Sequence, residues 1–350
     1  QSVKLIIKNG NRLNYHMTLI KFLNLPRSIN FIKKRKFFII FLFLLVWFFS
    51  YFFIPLNISE ENATFEIDSG KNLNQITDQL IEMNVLKDSF RFKFFSYIFG
   101  KTESLKRGHY RLEKSITPYE LLKILADGRE ELYSIRFIEG KTFSDLILEL
   151  KKNKHIKHEI TSYKEEDILN IISAEEPTAE GIFFPDSYYF YKNTSDIEIL
   201  QNSYKVMNDK MKHLWDNRDL DLPYKSMYEA LIMASIIEKE ISIKDEARMV
   251  AGVFVNRLNI NMPLQSDPTV IYGMRHRYDG NIRKSDLREV NNYNTYTRRG
   301  LPPSPISTPS LNSIIAAFNP EITDALYFVA KGDRTHIFSK TLSEHNKAVR

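Results

Sequence analysis

Ala-Leu-Ile-Met-Ala-Ser-Ile-Ile-Glu-Lys-Glu-Ile-Ser, residues 230–242, is the stretch on which the reading of this chain turns. Wound as a helix at about 100° per residue, it gathers Ile232, Ile236, Met233 and Ile237 on one face. Glu240 falls in the middle of that stripe, and Glu238 falls on the far side. A carboxylic acid set among apolar side chains is costly to ionise, so its pKa rises. Such an acid still holds its proton near neutral pH and can act as a general acid. Glu240 is therefore the candidate acid, and Glu238 reads as a solvated or salt-bridged structural residue. Helix geometry alone leaves a second reading open, in which the helix ends there and Glu240 frays into solvent.

The chain has 350 residues, enough for two domains and a substantial core. Its formal charge of +6 is unevenly spread. Residues 1–36 carry nine of the 49 Lys and Arg and no acid, which leaves 40 basic against 43 acidic residues in the remainder. The basic character belongs to a tail, so no nucleic-acid surface is indicated on the folded part. Cysteine is absent. Disulfides and thiolate metal sites are thereby excluded, and the redox compartment stays open.

Phe37–Ile54 accounts for the tail. It is uncharged and rich in Phe, Leu and Ile, and as a helix it rises about 27 Å, enough for the hydrocarbon core. Lys33, Lys34, Arg35 and Lys36 precede it directly, which assigns residues 1–36 to the cytoplasm. Trp47 and Tyr51 lie toward the other end, where interfacial aromatics are favoured. No small-residue cleavage site follows, so a retained single-pass anchor is expected rather than a removed signal peptide. The folded part then lies outside the cytoplasmic membrane. Met17 is a plausible start of the mature chain.

After a linker at 55–62, residues 63–130 read as a small α+β subdomain. Phe65 and Ile67 alternate with polar residues as in a strand, and Leu73, Ile76, Leu80 and Ile81 form a helical stripe. Gly108–Leu112 reads as a second strand. Thr117, Pro118 and Gly128 are the N-cap, first-turn and C-terminal signals of a helix with Leu121, Leu122 and Leu125 inward. Ser-Gly-Lys-Asn-Leu-Asn-Gln-Ile, residues 69–76, resembles the opening of a LysM domain, a glycan-binding module.

Residues 131–350 read as a larger mixed α/β domain. A strand is expected at Tyr133–Phe137 and a helix at Thr142–Leu150. Ile182–Phe190 reads as an aromatic loop or edge strand lining a groove, Asp245–Leu258 as a helix, and Tyr327–Ala330 as a late strand. Between the last two the chain reads as polar and irregular, including Gln265, Asp267, Asn294, Thr295 and Tyr296.

Five runs stand in order at close spacing: Glu-Lys-Glu at 238–240, Asn-Arg-Leu at 256–258, Gln-Ser-Asp-Pro-Thr-Val-Ile-Tyr-Gly at 265–273, Tyr-Asn-Thr-Tyr at 293–296 and Gly-Leu-Pro-Pro at 300–303. Together they resemble the YceG/MltG family, the membrane-anchored endolytic murein transglycosylases, over roughly residues 63–350. Other lytic transglycosylases carry a helix ending in two apolar residues, two further positions and then Glu-Ser or Glu-Thr. On that pattern Ile236-Ile237-Glu238-Lys239-Glu240 makes Glu240 the catalytic acid. The chain departs from it at Ile241, where a hydroxyl residue is usual, with Ser242 one place later.

The resemblance implies cleavage of the β-1,4 bond between N-acetylmuramic acid and N-acetylglucosamine in peptidoglycan, leaving 1,6-anhydro ends. It implies trimming or termination of nascent strands, proximity to peptidoglycan synthases and no need of a metal or cofactor. Gln265, Asp267, Asn294, Thr295 and Tyr296 become candidate substrate contacts, through amide and hydroxyl hydrogen bonds or ring stacking. Their bland reading is that Asn294 and Asp267 hold turns. Glu180 reads either as a partner of the site or as a loop cap, the cap being favoured. No GxGxxG, Walker loop or HExxH helix is present, and His155 and His158 read as surface residues. The alternative function is a non-catalytic glycan-binding scaffold of the cell-wall synthesis machinery.

Overall fold

The computed structural model describes residues 29–350, with backbone only for 29–33 and for His276. Most of the basic tail, residues 1–28 with Met17, lies outside the described residues. The chain divides into two compact units, the first ending at Glu130 and the second spanning Glu131–Arg350.

The first unit begins with helix α1, Ile29–Ser50. A one-turn 3-10 segment, Tyr51–Phe53, extends it. Lys34–Phe53 is long and apolar enough to cross a membrane, and most of it is bare of protein contacts. The remainder is β1 (Leu56–Asn57), β2 (Thr64–Ile67), α2 (Leu73–Glu82), α3 (Ser89–Ile98), β3 (Gly108–Arg111), β4 (Ser115–Ile116) and α4 (Pro118–Asp127). β2 pairs antiparallel with β3, Phe65 opposite Tyr110, and β1 pairs with β4. The helix limits follow local chemistry. Asn72 caps α2 in a reciprocal box with Gln75, and Thr117 caps α4 in the same way with Glu120. Gly128 closes α4 at φ +69°, a left-handed conformation that favours glycine. Phe65, Ile76, Leu80, Phe92, Tyr110 and Leu121 fill the core, and Phe52 from the end of the apolar segment joins them.

The second unit comprises β5 (Leu132–Arg136), α5 (Phe143–Lys152), α6 (Glu165–Ile172), β6 (Ser187–Tyr191), α7 (Asp196–Asp216), α8 (Met227–Glu240), α9 (Ala247–Asn259), α10 (Asp267–Met274), α11 (Leu311–Phe318), β7 (Tyr327–Ala330), β8 (His336–Ser339) and α12 (Leu342–Ala348). β5 pairs antiparallel with β6, and β7 with β8. The ladders among the described residues are thus two-stranded, and helices supply most of the core.

Helix α8 is central. Ala230 through Ile237 are all buried, including Ser235, and α9, α10, α11 and α7 pack around it. This corrects the single apolar face expected from the helical wheel: an all-round apolar helix is one enclosed by its neighbours. Ser235 is accommodated because its hydroxyl donates to the Ile232 carbonyl (2.7 Å) and accepts from the Ile306 N–H (3.0 Å). That second bond pins the loop before α11 to α8. A further correction concerns residues 267–274, read as irregular and found as α10. Pro268 stands in the first helical turn, where a missing N–H costs nothing. Val270, Tyr272 and Met274 then bury against the core.

Candidate functional site

Glu240 is the last residue of α8; Ile241 leaves the helix in an extended conformation, its N–H still bonded to the Ile237 carbonyl at 3.1 Å. The helix end does not fray. The Ser266 hydroxyl donates to Glu240 Oε1 at 2.5 Å, while Oε2 has no partner among the described residues. The residue keeps partial solvent access. Burial pushes its carboxyl from 4.5 up to about 7. The Ser266 bond opposes the rise, Asp267 adds to it, and His336 and Arg257 oppose it. The outcome is an acid that can hold a proton near neutrality and has one oxygen open to an incoming group.

Ser266 is held tightly. It is 1 % exposed. Its N–H donates to Thr295 Oγ1 (3.0 Å), and its carbonyl accepts from Thr269 Oγ1 (2.7 Å). The two threonine hydroxyls lie 2.8 Å apart, and the Gln265 N–H reaches the Thr295 carbonyl at 3.1 Å. Two loops remote in sequence are thereby stitched together beside Glu240. The hydroxyl missing at position 241 thus comes from another segment, which inspection of the helix end alone could not reveal.

Of the five candidate contacts, three present side chains at the surface of this site and two do not. Gln265 is exposed, its backbone at φ +50°. Asp267 is exposed and accepts from the Tyr296 hydroxyl at 2.6 Å. Tyr296 is half-buried; burial, then the bond to Asp267, pushes its phenol well above the ordinary range. Asn294 and Thr295 are fully buried. Asn294 Nδ2 donates to the Asp286, Leu287 and Glu289 carbonyls, and its Oδ1 accepts from the Tyr296 N–H. In this structure both residues shape the loop that carries Tyr296.

The Asn-Arg-Leu run has a similar office. Asn256 Nδ2 donates to the Thr323 and Ala325 carbonyls. Buried Arg257 donates to the carbonyls of Leu326 (2.6 Å) and Leu264 (2.7 Å). It thereby fixes the extended segment leading into Ser266. Gly300–Pro303 line a different hollow, with Tyr228 and Glu229 at the start of α8.

Glu238 accepts from the Ser310 N–H (2.9 Å), the Ser310 hydroxyl (2.6 Å) and the Ser313 hydroxyl (2.6 Å). It satisfies the N-terminus of α11, where orphan donors and the helix dipole favour an anion. Its role is structural, through hydrogen bonds rather than a salt bridge. Glu238→Ala should leave these buried donors unsatisfied and cost about 1–3 kcal/mol of stability, read by urea or thermal unfolding. Unchanged stability would remove this assignment.

A second carboxyl competes for the acid role. Glu180 is 4 % exposed, and burial raises it to about 7 as well. Both of its oxygens are engaged, by the Phe143 N–H at the start of α5 (2.8 Å) and by the Tyr272 hydroxyl (3.0 Å). Gly181, at φ +76°, lets this turn approach Pro305, where an added Cβ would meet a carbon at 2.5 Å. Glu180 is a cap, and it lies on the wall of an 810 Å³ cavity that Lys239, Pro268, Tyr272 and Arg275 also line. Lys239 and Pro268 are the sequence neighbours of Glu240 and Asp267, so the cavity adjoins the candidate site.

No cluster of His, Cys, Asp and Glu suited to a metal ion occurs among the described residues. His336 Nδ1 instead pairs with Glu246 at 2.7 Å. His155 stacks on Tyr133, ring centroids 3.9 Å apart.

Comparison with known proteins agrees in extent with this architecture. The model of the YceG-like family matches residues 65–350. The chain is similar to the endolytic murein transglycosylase of Bacillus subtilis (strain 168), 30 % identical over 308 residues, which are 83 % of this chain and 84 % of that one. It is 26 % identical to the endolytic murein transglycosylase of Streptococcus pneumoniae (serotype 2, strain D39) over 78 % of this chain and 55 % of that longer one. Among solved structures, a yceG-like protein of Listeria monocytogenes matches with a TM-score of 0.51 and 29 % identity, over 81 % of this chain and 98 % of that one.

Proposed function

Because the chain belongs to the YceG-like family, we propose that it is a lytic transglycosylase that cuts peptidoglycan glycan strands internally. The observation that carries the reading is Glu240, a half-buried, protonatable carboxyl with one open oxygen at the end of α8. Ordinary glycosidases use two carboxylates, one of them to activate water or to attack the sugar. A single group suffices if the substrate supplies its own nucleophile. Protonated Glu240 gives its proton to the oxygen of the N-acetylglucosamine leaving group as positive charge develops on the muramyl ring. The carboxylate so formed takes the proton of the muramyl C6 hydroxyl, whose oxygen closes a 1,6-anhydro ring. No water is consumed, and the chemistry calls for no metal or cofactor.

Gln265, Asp267 and Tyr296 are assigned to the groove beside Glu240. Asn294, Thr295, Ser266 and Arg257 position it. Phe37–Ile54 anchors the chain in the cytoplasmic membrane with residues 1–36 inside and both folded units outside, where nascent strands are within reach. The strand-helix-helix-strand order of residues 63–130 supports a LysM-like reading of that subdomain. Digestion of purified sacculi tests the proposal: fragments ending in anhydro-muramyl sugars are expected, and intact sacculi after full enzyme exposure would refute it.

The pH profile gives a second check. Only protonated Glu240 donates, so cleavage should fall as pH rises through about 7, about tenfold per unit beyond it. The Ser266 hydroxyl stabilises the carboxylate and lowers that pKa. Ser266→Ala should therefore move the falling limb to higher pH. A limb that stays in place in Ser266→Ala, with cleavage lost in Glu180→Gln, would transfer the acid role to Glu180.

A further inference from the structure

Helix α3 has two apolar faces where one is expected. Its inner face is Phe92, Phe95 and Ser96, all buried in the first unit. Its outer face is Phe90, Phe94, Tyr97 and Ile98, which are 69, 39, 77 and 52 % exposed. These four stand at i, i+4, i+7 and i+8, one continuous stripe of a helix. Arg91 and Lys93 separate the two faces, and each apolar face of a helix is ordinarily covered by protein or by lipid. The protein of this unit covers the inner face and, of the outer one, only the side of Phe94 that meets Phe48.

The position of the bare stripe says what covers it. α3 packs against the end of the apolar segment through contacts all along its length. Arg91 lies over the Trp47 and Tyr51 rings, 4.7 and 4.2 Å from their centroids. Phe94 meets Phe48 at 5.1 Å, Phe95 meets Phe52 at 4.2 Å, and Phe99 meets Phe52 at 5.4 Å. α3 thus lies against the last turns of the span along its whole length, from Asp88, whose carbonyl accepts from the Tyr51 hydroxyl, to Phe99, and its outer stripe lies level with Trp47–Phe53. Phe53, at the end of the span, is also bare, 66 % exposed. No acid interrupts the stripe, and Lys87 and Lys101 stand at its two ends, as suits anionic headgroups. At this level an anchored chain meets lipid.

We propose that α3 lies in the outer membrane–water interface beside the exit of α1, its Phe90, Phe94, Tyr97 and Ile98 stripe inserted among the lipids. This rests on the anchor reading of Phe37–Ile54. The first unit is then seated on the bilayer by two helices and not suspended above it on one. Aromatic side chains at headgroup depth and an apolar stripe buried about 5–10 Å into the boundary are the expected arrangement for an interfacial helix.

The chain has no cysteine, so one introduced thiol can carry a single environment-sensitive fluorophore. The full-length protein is reconstituted in vesicles of phosphatidylcholine and phosphatidylglycerol, labelled in turn at Phe90→Cys, Tyr97→Cys, Phe43→Cys and Glu82→Cys. Labels at 90 and 97 should lose fluorescence to lipids carrying a shallow nitroxide, and the label at 43 to lipids carrying a deep one. The label at 82 should be quenched by aqueous iodide alone. Iodide quenching at 90 and 97 with lipid quenching at 43 would overturn the proposal while leaving the anchor intact. Loss of lipid quenching at 43 would overturn the anchor, and the proposal with it. Protection of position 97 from iodide by soluble glycan fragments, or only on raising the protein-to-lipid ratio, would assign the stripe to sugar or to a second copy instead.

Discussion

Glu240→Gln should lower the rate of glycan cleavage by about 10²–10⁴-fold or more, the scale of losing a residue that serves as both acid and base. Glutamine keeps the size of the side chain and an oxygen for the Ser266 hydroxyl, which now donates to Oε1 at 2.5 Å. It has no transferable proton, so the leaving oxygen departs unassisted and the C6 hydroxyl finds no base. The fold should survive. Burial holds the Glu240 pKa at about 7, so ionising this carboxyl costs folding free energy that is absent below pH 4.5 and grows as pH rises through 7. The neutral glutamine avoids that cost, and at pH 8 the variant should unfold at the same temperature as the parent or a higher one. Anhydro-end counts from sacculi and a thermal melt at pH 8 check both halves. Full activity in Glu240→Gln, with loss in Glu180→Gln, would move the acid to Glu180. Loss of activity together with a collapsed melt would make Glu240 a structural residue.

What the sequence disclosed, and what it withheld, follows the range of the interactions involved. The helix at 118–127 could be bounded in advance because Thr117, Pro118 and Gly128 act within a turn of their own positions. The candidacy of Glu240 over Glu238 comes from the wheel of one helix together with the resemblance, and the wheel leaves open whether that helix end frays. The environment of α8 was not legible. Its all-round burial depends on α9, α10 and α11, and a helical wheel describes only the helix itself. Ser266 sits 26 residues from Glu240, and Glu180 meets Tyr272 across 92 residues. No local pattern encodes either meeting. Asn294 and Thr295 illustrate the same limit from the other side. Their polarity suggested substrate contact, yet the loop carbonyls and hydroxyls around them use their hydrogen bonds. The outer stripe of α3 was written in the sequence at helical spacing, but only its bareness and its place beside Trp47 give it meaning.

The products distinguish the two fates open to the muramyl cation. If Glu240 performs both proton transfers, the C6 oxygen closes on C1 and every new muramyl end is an anhydro sugar. If a second carboxylate activates water, the end is a reducing sugar whose new oxygen comes from solvent. Asp267 is the acid placed for that second role: it adjoins Ser266, adds to the upward push on Glu240, and is exposed. It accepts a hydrogen bond from Tyr296 at 2.6 Å. One of its oxygens is thus already engaged by the phenol and is not free to take a proton from water. The C6 hydroxyl, by contrast, is part of the reacting sugar and is present at high effective concentration without being bound separately. Ring closure should therefore win. Digestion of sacculi in ¹⁸O-labelled water should give new muramyl termini without label and lighter by one water than reducing ends. If label does appear, Asp267→Asn should abolish it and restore anhydro ends when Asp267 is the base. Label that persists in Asp267→Asn would mean that Glu240 itself directs water to the sugar, and the single-carboxylate ring closure would have to be abandoned.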